Sequence, residues 1–374
     1  MRGNSETKKA GEEAMIFLFR LILGLLVVVI VTTICGLGYR TYLQTETQSN
    51  TKITTPNGIE SLEIASLNGS KQWIYLRGHD QNNPVLLFLH GGPGAPEMAI
   101  ARRFGLELEK HFTVVHWDQR ASGKSRREPF SEGDLSMQTY LDDTLALVML
   151  LRKRFNQDKI YLLGHSWGTI LGTLTAREHP AFFHAYIGMG QLVNLAENEH
   201  LSLEYVIKRA REENNAEALA ELLPLTPPYT EDPSELSVQR KWLYHYDGGL
   251  RGVTVVELFG LMLRSPEYSI LDTLALALGF DAVSSQMWPE MGKIDFTVQA
   301  TKLEVPVYFF TGRYDYNTPF VLTERYFDLL DAPQKEIIWF EESAHFMNVS
   351  DPDRFQHMLI NKVLPETFPT VARQ

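Results

Sequence analysis

The stretch YLLGHSWGTILG, residues 161–172, sets Ser166 between two glycines at the point where an apolar run stops. Tyr161, Leu162 and Leu163 read as the end of a buried strand, and Thr169 to Thr175, followed by Ala176, as the start of a packed helix. Gly164 and Gly168 clear space around the serine, since larger residues there would collide with neighbouring strand and helix. A helix N-terminus beneath Ser166 favours negative charge that develops there. A plain structural turn is the competing reading, and the apolar strand and helix on either side count against it.

Strand and helix signals alternate on both sides of this turn. QWIYLR (72–77), VLLFLH (85–90) and FTVVHW (112–117) read as strands before it, with helical periodicity over Met98 to Lys110 and a long amphipathic helix over Ser136 to Phe155. HAYIGMG (184–190), VPVYFFTG (305–312) and KEIIWF (335–340) read as strands after it, the last two each followed by a loop and a helix. Such alternation indicates βαβ units and a mostly parallel sheet flanked by helices. Between Asn194 and Thr301 the patterns are helical only, as in LEYVIKRAREENNAEALAELL (203–223), broken by PLTPPYTEDPSE (224–235). An insertion of about a hundred residues far exceeds ordinary loops. The expected organisation is one α/β core, 59–193 and 302–374, interrupted by a helical insertion, 194–301.

The 374-residue chain is 44% hydrophobic and 22% charged, as in a globular protein with a substantial core. Its formal net charge of −11, without a basic stripe, argues against nucleic acid as a partner. The single cysteine, Cys35, excludes an intrachain disulfide and a cysteine-based zinc site. From Leu21 to Gly38 the chain reads LILGLLVVVIVTTICGLG without a charge, and Met15 to Phe19 extends the apolar run beyond Arg20. A run of about 18 or more such residues is long enough to cross a bilayer. A cleaved signal peptide has a shorter apolar region of about 7 to 15 residues ending in small residues, and no A-x-A-like site follows here. Thr33 and Ile34 before Cys35 do not suit a lipoprotein. The expectation is a tail, 1–14, a transmembrane anchor, 15–38, and a polar, turn-rich linker, 39–58. Arg2, Lys8, Lys9 and Arg20 outnumber Arg40 and Lys52, so the positive-inside rule puts the N-terminus in the cytoplasm and the larger part outside the cell membrane.

A serine hydroxyl is a poor nucleophile unless a base takes its proton and an acid orients the base. The G-x-S-x-G pattern between strand and helix is similar to the nucleophile elbow of α/β-hydrolases, in which an acid and then a histidine follow the serine along the chain. Asp315 in TGRYDYNTP (311–319) and His345 in EESAHF (341–346) stand directly after strands, at the ends where open α/β sheets place their ligands. Asp295, Glu341 and Glu342 read as surface charges, while His90 and His165 precede the acid and suit packing or hydrogen bonding. Two backbone N–H groups must face a developing oxyanion. One is expected from Trp167 and the other from the glycine-rich loop HGGPGAPE (90–97), which lacks the spacing of phosphate-binding loops. ASGKS (121–125) lacks that spacing too.

HGGPG, WDQRASGKS, GHSWGT, GRYDYNTP and SAHF, in that order, resemble the proline iminopeptidase-type branch of the α/β-hydrolases over roughly residues 60 to 365. The resemblance implies Ser166 as nucleophile, Asp315 and His345 as its partners, Gly92 and Trp167 as oxyanion donors, and residues 194–301 as a helical cap. It implies a structural ion pair for Asp118 and Arg120. An exopeptidase of this kind must also neutralise a free ammonium with cap carboxylates. Glu197, Glu199, Glu204 and Glu257 are the candidates, with Glu204 foremost because it lies in the cap's clearest helix. Two positions depart from the pattern: Ala121 stands where D-Q-R-G-x-G-x-S has its first glycine, and His165 where G-G-S-W-G has its second. Both changes move the chain toward general α/β-hydrolases.

The expected function is a membrane-anchored serine hydrolase acting through an acyl-enzyme on short peptides or aminoacyl amides, with neither metal nor organic cofactor. The alternative within the class is an esterase or lipid-active hydrolase, which suits a membrane location. Epoxide hydrolases and haloalkane dehalogenases share the fold but need a carboxylate where Ser166 stands. A non-catalytic binding module on this fold would be expected to have lost a triad residue, and none is lost. The pattern leaves the oligomeric state open.

Overall fold

The computed structural model describes residues 3–128, 135–232 and 234–369. Arg2, counted above for orientation, and residues 370–374, counted with the core, lie outside the described residues. The chain divides into two units, residues 1–50 and 51–374.

The first unit is one helix, α1 (Gly3–Asn50). From Met15 to Asn50 it is long and apolar enough to cross a membrane, and its apolar window buries nothing within the chain. The expected linker is therefore helical as far as Asn50. The reason is local: no glycine or proline interrupts Thr41 to Asn50. Arg40 also bonds to Gln44 one turn on, at 3.2 Å.

The second unit is built on an eight-stranded sheet among the described residues, ordered β1-β2-β4-β3-β5-β6-β7-β8. Its strands are β1 (Ile59–Leu67), β2 (Ser70–Gly78), β3 (Val85–Leu89), β4 (Thr113–Asp118), β5 (Ile160–His165), β6 (Phe183–Met189), β7 (Val307–Gly312) and β8 (Lys335–Phe340). Pairing is antiparallel for β1 with β2 and β2 with β4, and parallel across the rest. The two glutamates of β1, IESLEIASL, break up its apolar pattern and mask its strand period. The runs of β3 and β5 are apolar throughout because both faces of the sheet are covered: Leu87 and Leu162 enter one apolar cluster, Leu86 and Leu163 the other.

Helices α3 (Met137–Arg154), α4 (Trp167–Glu178) and α11 (Phe320–Leu329) supply side chains to the first cluster. Helices α12 (Met347–Ser350) and α13 (Pro352–Met358) supply the second. The Ser136 side chain caps α3 by accepting from Thr139 N–H. The helical periodicity of 98–110 does not yield one helix. A 3₁₀ turn leads into α2 (Ala101–Phe104), which Gly105 ends by donating to the Ala101 carbonyl, and a second 3₁₀ turn follows.

Between β6 and β7 lie α5 (Leu195–Glu212), α6 (Ala216–Leu222), α7 (Ser234–His245), α8 (Val255–Arg264), α9 (Ile270–Met291) and the short α10 (Phe296–Gln299). This helical insertion is tied to the core by polar bonds on two sides. Arg102 meets Glu267 at 2.6 Å, Tyr268 donates to Asp118 at 2.7 Å, and Asn198 donates to the Asn317 carbonyl at 2.9 Å.

Candidate active site

Ser166 occupies the turn between β5 and α4 with φ 53° and ψ −118°, a region that side-chain-bearing residues seldom adopt. Its N–H donates to the Met189 carbonyl at 3.0 Å, and its carbonyl accepts from Thr169 N–H at 2.8 Å, so the surrounding chain holds the turn. A Cβ at Gly164 would collide with the backbone of Gly168, and one at Gly168 with the Leu89 carbonyl of β3. Close approach requires both glycines, as the sequence suggests.

Asp315 and His345 come together from the loops after β7 and β8, 1% and 3% exposed. His345 Nδ1 donates to Asp315 Oδ2 at 2.9 Å, which leaves Nε2 as the basic nitrogen. Asp315 is itself fixed: Oδ1 accepts from Asn317 N–H at 2.9 Å and Thr318 N–H at 2.8 Å, and Oδ2 from the Thr318 hydroxyl at 2.9 Å. Burial pushes His345 below its ordinary pKa despite the charge and hydrogen bond of Asp315, so the ring is a free base at neutral pH. Ser166 and His345 line one cavity of about 720 Å³. Their side chains are not hydrogen-bonded among the described residues, a bond that in many such sites tightens only when substrate is present.

The glycine-rich loop lies against Ser166, since a Cβ at Gly91 would stand 3.3 Å from the Ser166 Cβ. Gly91 N–H is committed to Glu97 Oε1 at 3.0 Å. The N–H groups of Gly92 and Trp167 have no acceptor among the described residues, which suits them to a developing oxyanion. His90 is a neutral structural histidine: it accepts from Gln119 N–H at Nε2 and sits 2.7 Å from the Gly91 carbonyl at Nδ1, with burial pushing its pKa down to about 4.

Asp118 and Arg120 do not pair with each other. Arg120 makes two bonds to Asp143 of α3, at 2.8 and 3.0 Å, while Asp118 accepts from Tyr268 and from Lys124 N–H. Burial pushes the Asp118 carboxyl up to about 7.

Three of the four cap glutamates lie away from the cavity. Glu204 is exposed and faces His200 one turn back, Glu197 meets Arg325 at 2.6 Å, and Glu257 caps α8 by accepting from Thr254 N–H at 2.7 Å. Glu199 lines the cavity, fully buried, with its oxygens on Arg240 at 2.7 and 2.8 Å. Helical spacing carries the signal: Leu195, Glu199, Ser202, Leu203 and Val206 share the inner face of α5, whereas Glu204 falls on the outer one. The sequence reading missed Arg240 and the cavity carboxylate Glu97, because neither lies in a spacing that singles it out.

The chain matches the family model of the alpha/beta hydrolase fold over residues 84–221. It is 31% identical over 311 residues to the "probable aminopeptidase YbaC" of Bacillus subtilis (strain 168), covering 82% of this chain and 97% of that one. The proline iminopeptidase of Heyndrickxia coagulans is 24% identical over 283 residues, covering 73% and 87%. Among solved structures, that of VinJ superposes with a TM-score of 0.60 at 20% identity, over 82% of this chain and 98% of that one. With a relative of this identity matched over nearly its whole length, the chain belongs to the α/β-hydrolase family, in its proline iminopeptidase-type branch, as a hydrolase.

Proposed function

We propose that the chain is a membrane-anchored serine hydrolase that works through an acyl-enzyme and removes the N-terminal residue of short peptides or aminoacyl amides. The observation that carries this reading is the 2.9 Å bond from His345 Nδ1 to Asp315, with His345 sharing a cavity with the strained Ser166. Ser166 Oγ attacks the scissile carbonyl while His345 Nε2 takes its proton, and Asp315 stabilises the imidazolium. The oxyanion is received by the N–H groups of Gly92 and Trp167. Collapse breaks the C–N bond, and His345 returns the proton to the leaving amine. Water then attacks the acyl carbon with His345 as base, and the acid and Ser166 are released.

Glu199 suits the substrate's ammonium. Arg240 and the Asn198 amide, which donates to Oε1 at 3.1 Å, occupy three of the about four lone-pair sites of its carboxylate and leave room for one more donor. The name of the Bacillus subtilis relative supports an aminopeptidase. The largely apolar wall of the cavity, including Leu236, Leu258, Met262 and Trp288, favours acyl esters as the second reading. For the anchor, α1 is long and apolar enough; Lys8 and Lys9 precede the apolar stretch and Arg20 lies near its start, against Arg40 and Lys52 beyond it, so the N-terminus faces the cytoplasm.

A fluorophosphonate probe should label Ser166, and prolyl arylamides with a free amine should be cleaved while their N-acetylated forms are not. Glu199→Gln should narrow that preference by about 10-fold or more, the weight of one charge-assisted bond. Equal rates on free and acetylated substrates, or activity on esters alone, would leave the esterase reading. Protease added to intact cells should release the hydrolase domain; protection until lysis would reverse the orientation.

A further inference from the structure

Glu97 closes the glycine-rich loop and His165 precedes Ser166, and the steps above use neither. Glu97 is 7% exposed and His165 1% exposed. Glu97 Oε1 accepts from Gly91 N–H and lies 2.5 Å from His165 Nδ1. Across the ring, His165 Nε2 lies 3.1 Å from the backbone carbonyl of His345. A carboxylate and a carbonyl only accept hydrogen bonds, so both ring nitrogens donate and His165 is an imidazolium. Its ring centroid stands 4.7 Å from that of His345 and 4.9 Å from that of Phe346.

We infer that Glu97 and His165 are a positioning pair for the reaction, one buried ion pair that holds the oxyanion loop, the Ser166 turn and the His345 loop in mutual register. The inference rests on the serine hydrolase reading. His165 is continuous with Ser166, is bonded through Glu97 to the loop carrying Gly91 and Gly92, and is bonded directly to the His345 backbone. By engaging Gly91 N–H, Glu97 leaves the next one, Gly92, free for the substrate. A glycine at position 165, as in the G-G-S-W-G pattern, could make none of these bonds.

The charges around the pair are consistent with it. His90, His116 and His165 face Glu97; Glu97, Asp315 and His345 face His165; and Asp315, His165 and Arg240 face His345. Burial pushes His90 and His116 down to about 4, so His165 supplies the positive charge beside Glu97. Burial alone would lower His165 too, but the charge and hydrogen bond of Glu97, with the His345 carbonyl, hold it above its ordinary value.

The test uses the full-length protein with Glu97→Ala, His165→Ala, the double variant and Glu97→Gln. The readouts are kcat, KM, fluorophosphonate labelling rate, pH profile and thermal midpoint. Each alanine variant should lose about 10²-fold in kcat and labelling rate, the cost of a misplacement of roughly 1 Å, with KM held within about 3-fold. The double variant should be no worse than the worse single, because the two act as a unit. Glu97→Gln, which still accepts from Gly91, should return to within about 10-fold of the parent. His165→Ala should move the acid limb of kcat to higher pH, since removing a positive charge beside His345 raises its pKa.

Parental kcat and an unmoved pH profile in both alanine variants, with only a lower thermal midpoint, would overturn the pair as more than structural; so would additive single effects. Should the alanine variants not fold, His165→Gln, which keeps a polar side chain but not the positive charge between Glu97 and the His345 carbonyl, decides. A kcat loss of about 10-fold or more at unchanged KM supports the pair, and parental kcat overturns it. A parent that is labelled by the probe while its variants behave like it removes this inference alone. A parent that is neither labelled nor active removes the serine hydrolase reading and the inference with it.

Discussion

On the core side of the cavity, Glu97, His165, Asp315 and His345 are each less than a tenth exposed, and each is held by at least two hydrogen bonds. Across from them α8 buries no residue at all: Leu258 and Met262 line the cavity, while Val255, Val256 and Phe259 are exposed. Bond-making chemistry tolerates errors of roughly 0.5 Å, a demand that the candidate triad meets by standing at strand ends and being bonded from several directions. Recognition of a substrate's apolar body needs only a wall of suitable shape, which a single helix can supply. If this division holds, substitutions on the core side should change kcat or the fold, and those on the cap side should change KM.

The largest effects belong to the candidate triad. Ser166→Ala and His345→Ala should lower kcat by about 10⁴-fold or more with the fold intact, and Asp315→Asn by a comparable factor through lost orientation of the imidazole. Steady-state rates and circular dichroism on purified variants check this. Turnover at the parental rate in any of the three would break the assignment.

Next come the core's structural charges. Asp143 is fully buried and accepts from Arg120, Gln72 and Asn68. Asp143→Ala strands the Arg120 guanidinium, and removing one partner of a buried pair costs about 3–5 kcal/mol. Urea unfolding should show this loss, while Glu199→Gln, opposite Arg240 at the cavity, should change substrate preference more than stability. If Glu199→Gln proves the more destabilising of the two, the cap's ion pair is structural.

The difference between the halves also explains what the sequence made legible. GHSWG, HGGPG, GRYDYNTP and SAHF are short, because a tight turn or a strand end places each candidate group within a few residues of its supports. The parallel sheet was legible for the same reason, its buried strands being continuous apolar runs. The cap was legible as helices but not as a site. Apolar spacing within α5 sets Glu199 apart from Glu204, but that this inner face meets the cavity, and that Glu257 of α8 does not, is set by packing at long range. The Glu97–His165 bond joins residues 68 apart in sequence, and the Arg120–Asp143 pair replaces the expected local one, both by long-range contact. The linker was misread because Thr and Gln are polar and also helix-compatible when no glycine or proline intervenes.

A smaller effect should appear on acidification. His90 and His116 are pushed down to about 4 by burial, so between pH 6.5 and 4 the unfolded chain binds protons at these positions that the fold does not. Stability from these two is therefore full above 6.5 and lost as the pH falls. Asp118, raised to about 7 by burial, has the opposite sign: its contribution is present at low pH and lost as the pH rises through 7. Two histidines against one carboxylate leave a net loss on acidification on the order of 3 kcal/mol. Thermal midpoints across that range should show it, and Asp118→Asn, which removes the opposing group, should make the decline steeper. A flat profile in both proteins would mean that the buried histidines take up protons in the fold.

The smallest effects should come from α8, and they test the comparison most directly. Val256 is 79% exposed, so Val256→Ser should change stability by less than about 0.5 kcal/mol and leave both kcat and KM unaltered. Met262, on the same helix, lines the cavity. Met262→Ala should raise KM for substrates with a large apolar side chain by several-fold, in line with the roughly 1–3 kcal/mol that a filled apolar pocket contributes. Its kcat should hold, because no reacting atom is bonded to α8. The two substitutions share a helix, so any general loosening of the cap would affect them alike, and only their different facing can separate their KM values. A fall in kcat for Met262→Ala approaching that of the core variants would mean that α8 helps to position the reacting groups, and the division between a rigid chemical half and a permissive recognition half would fail.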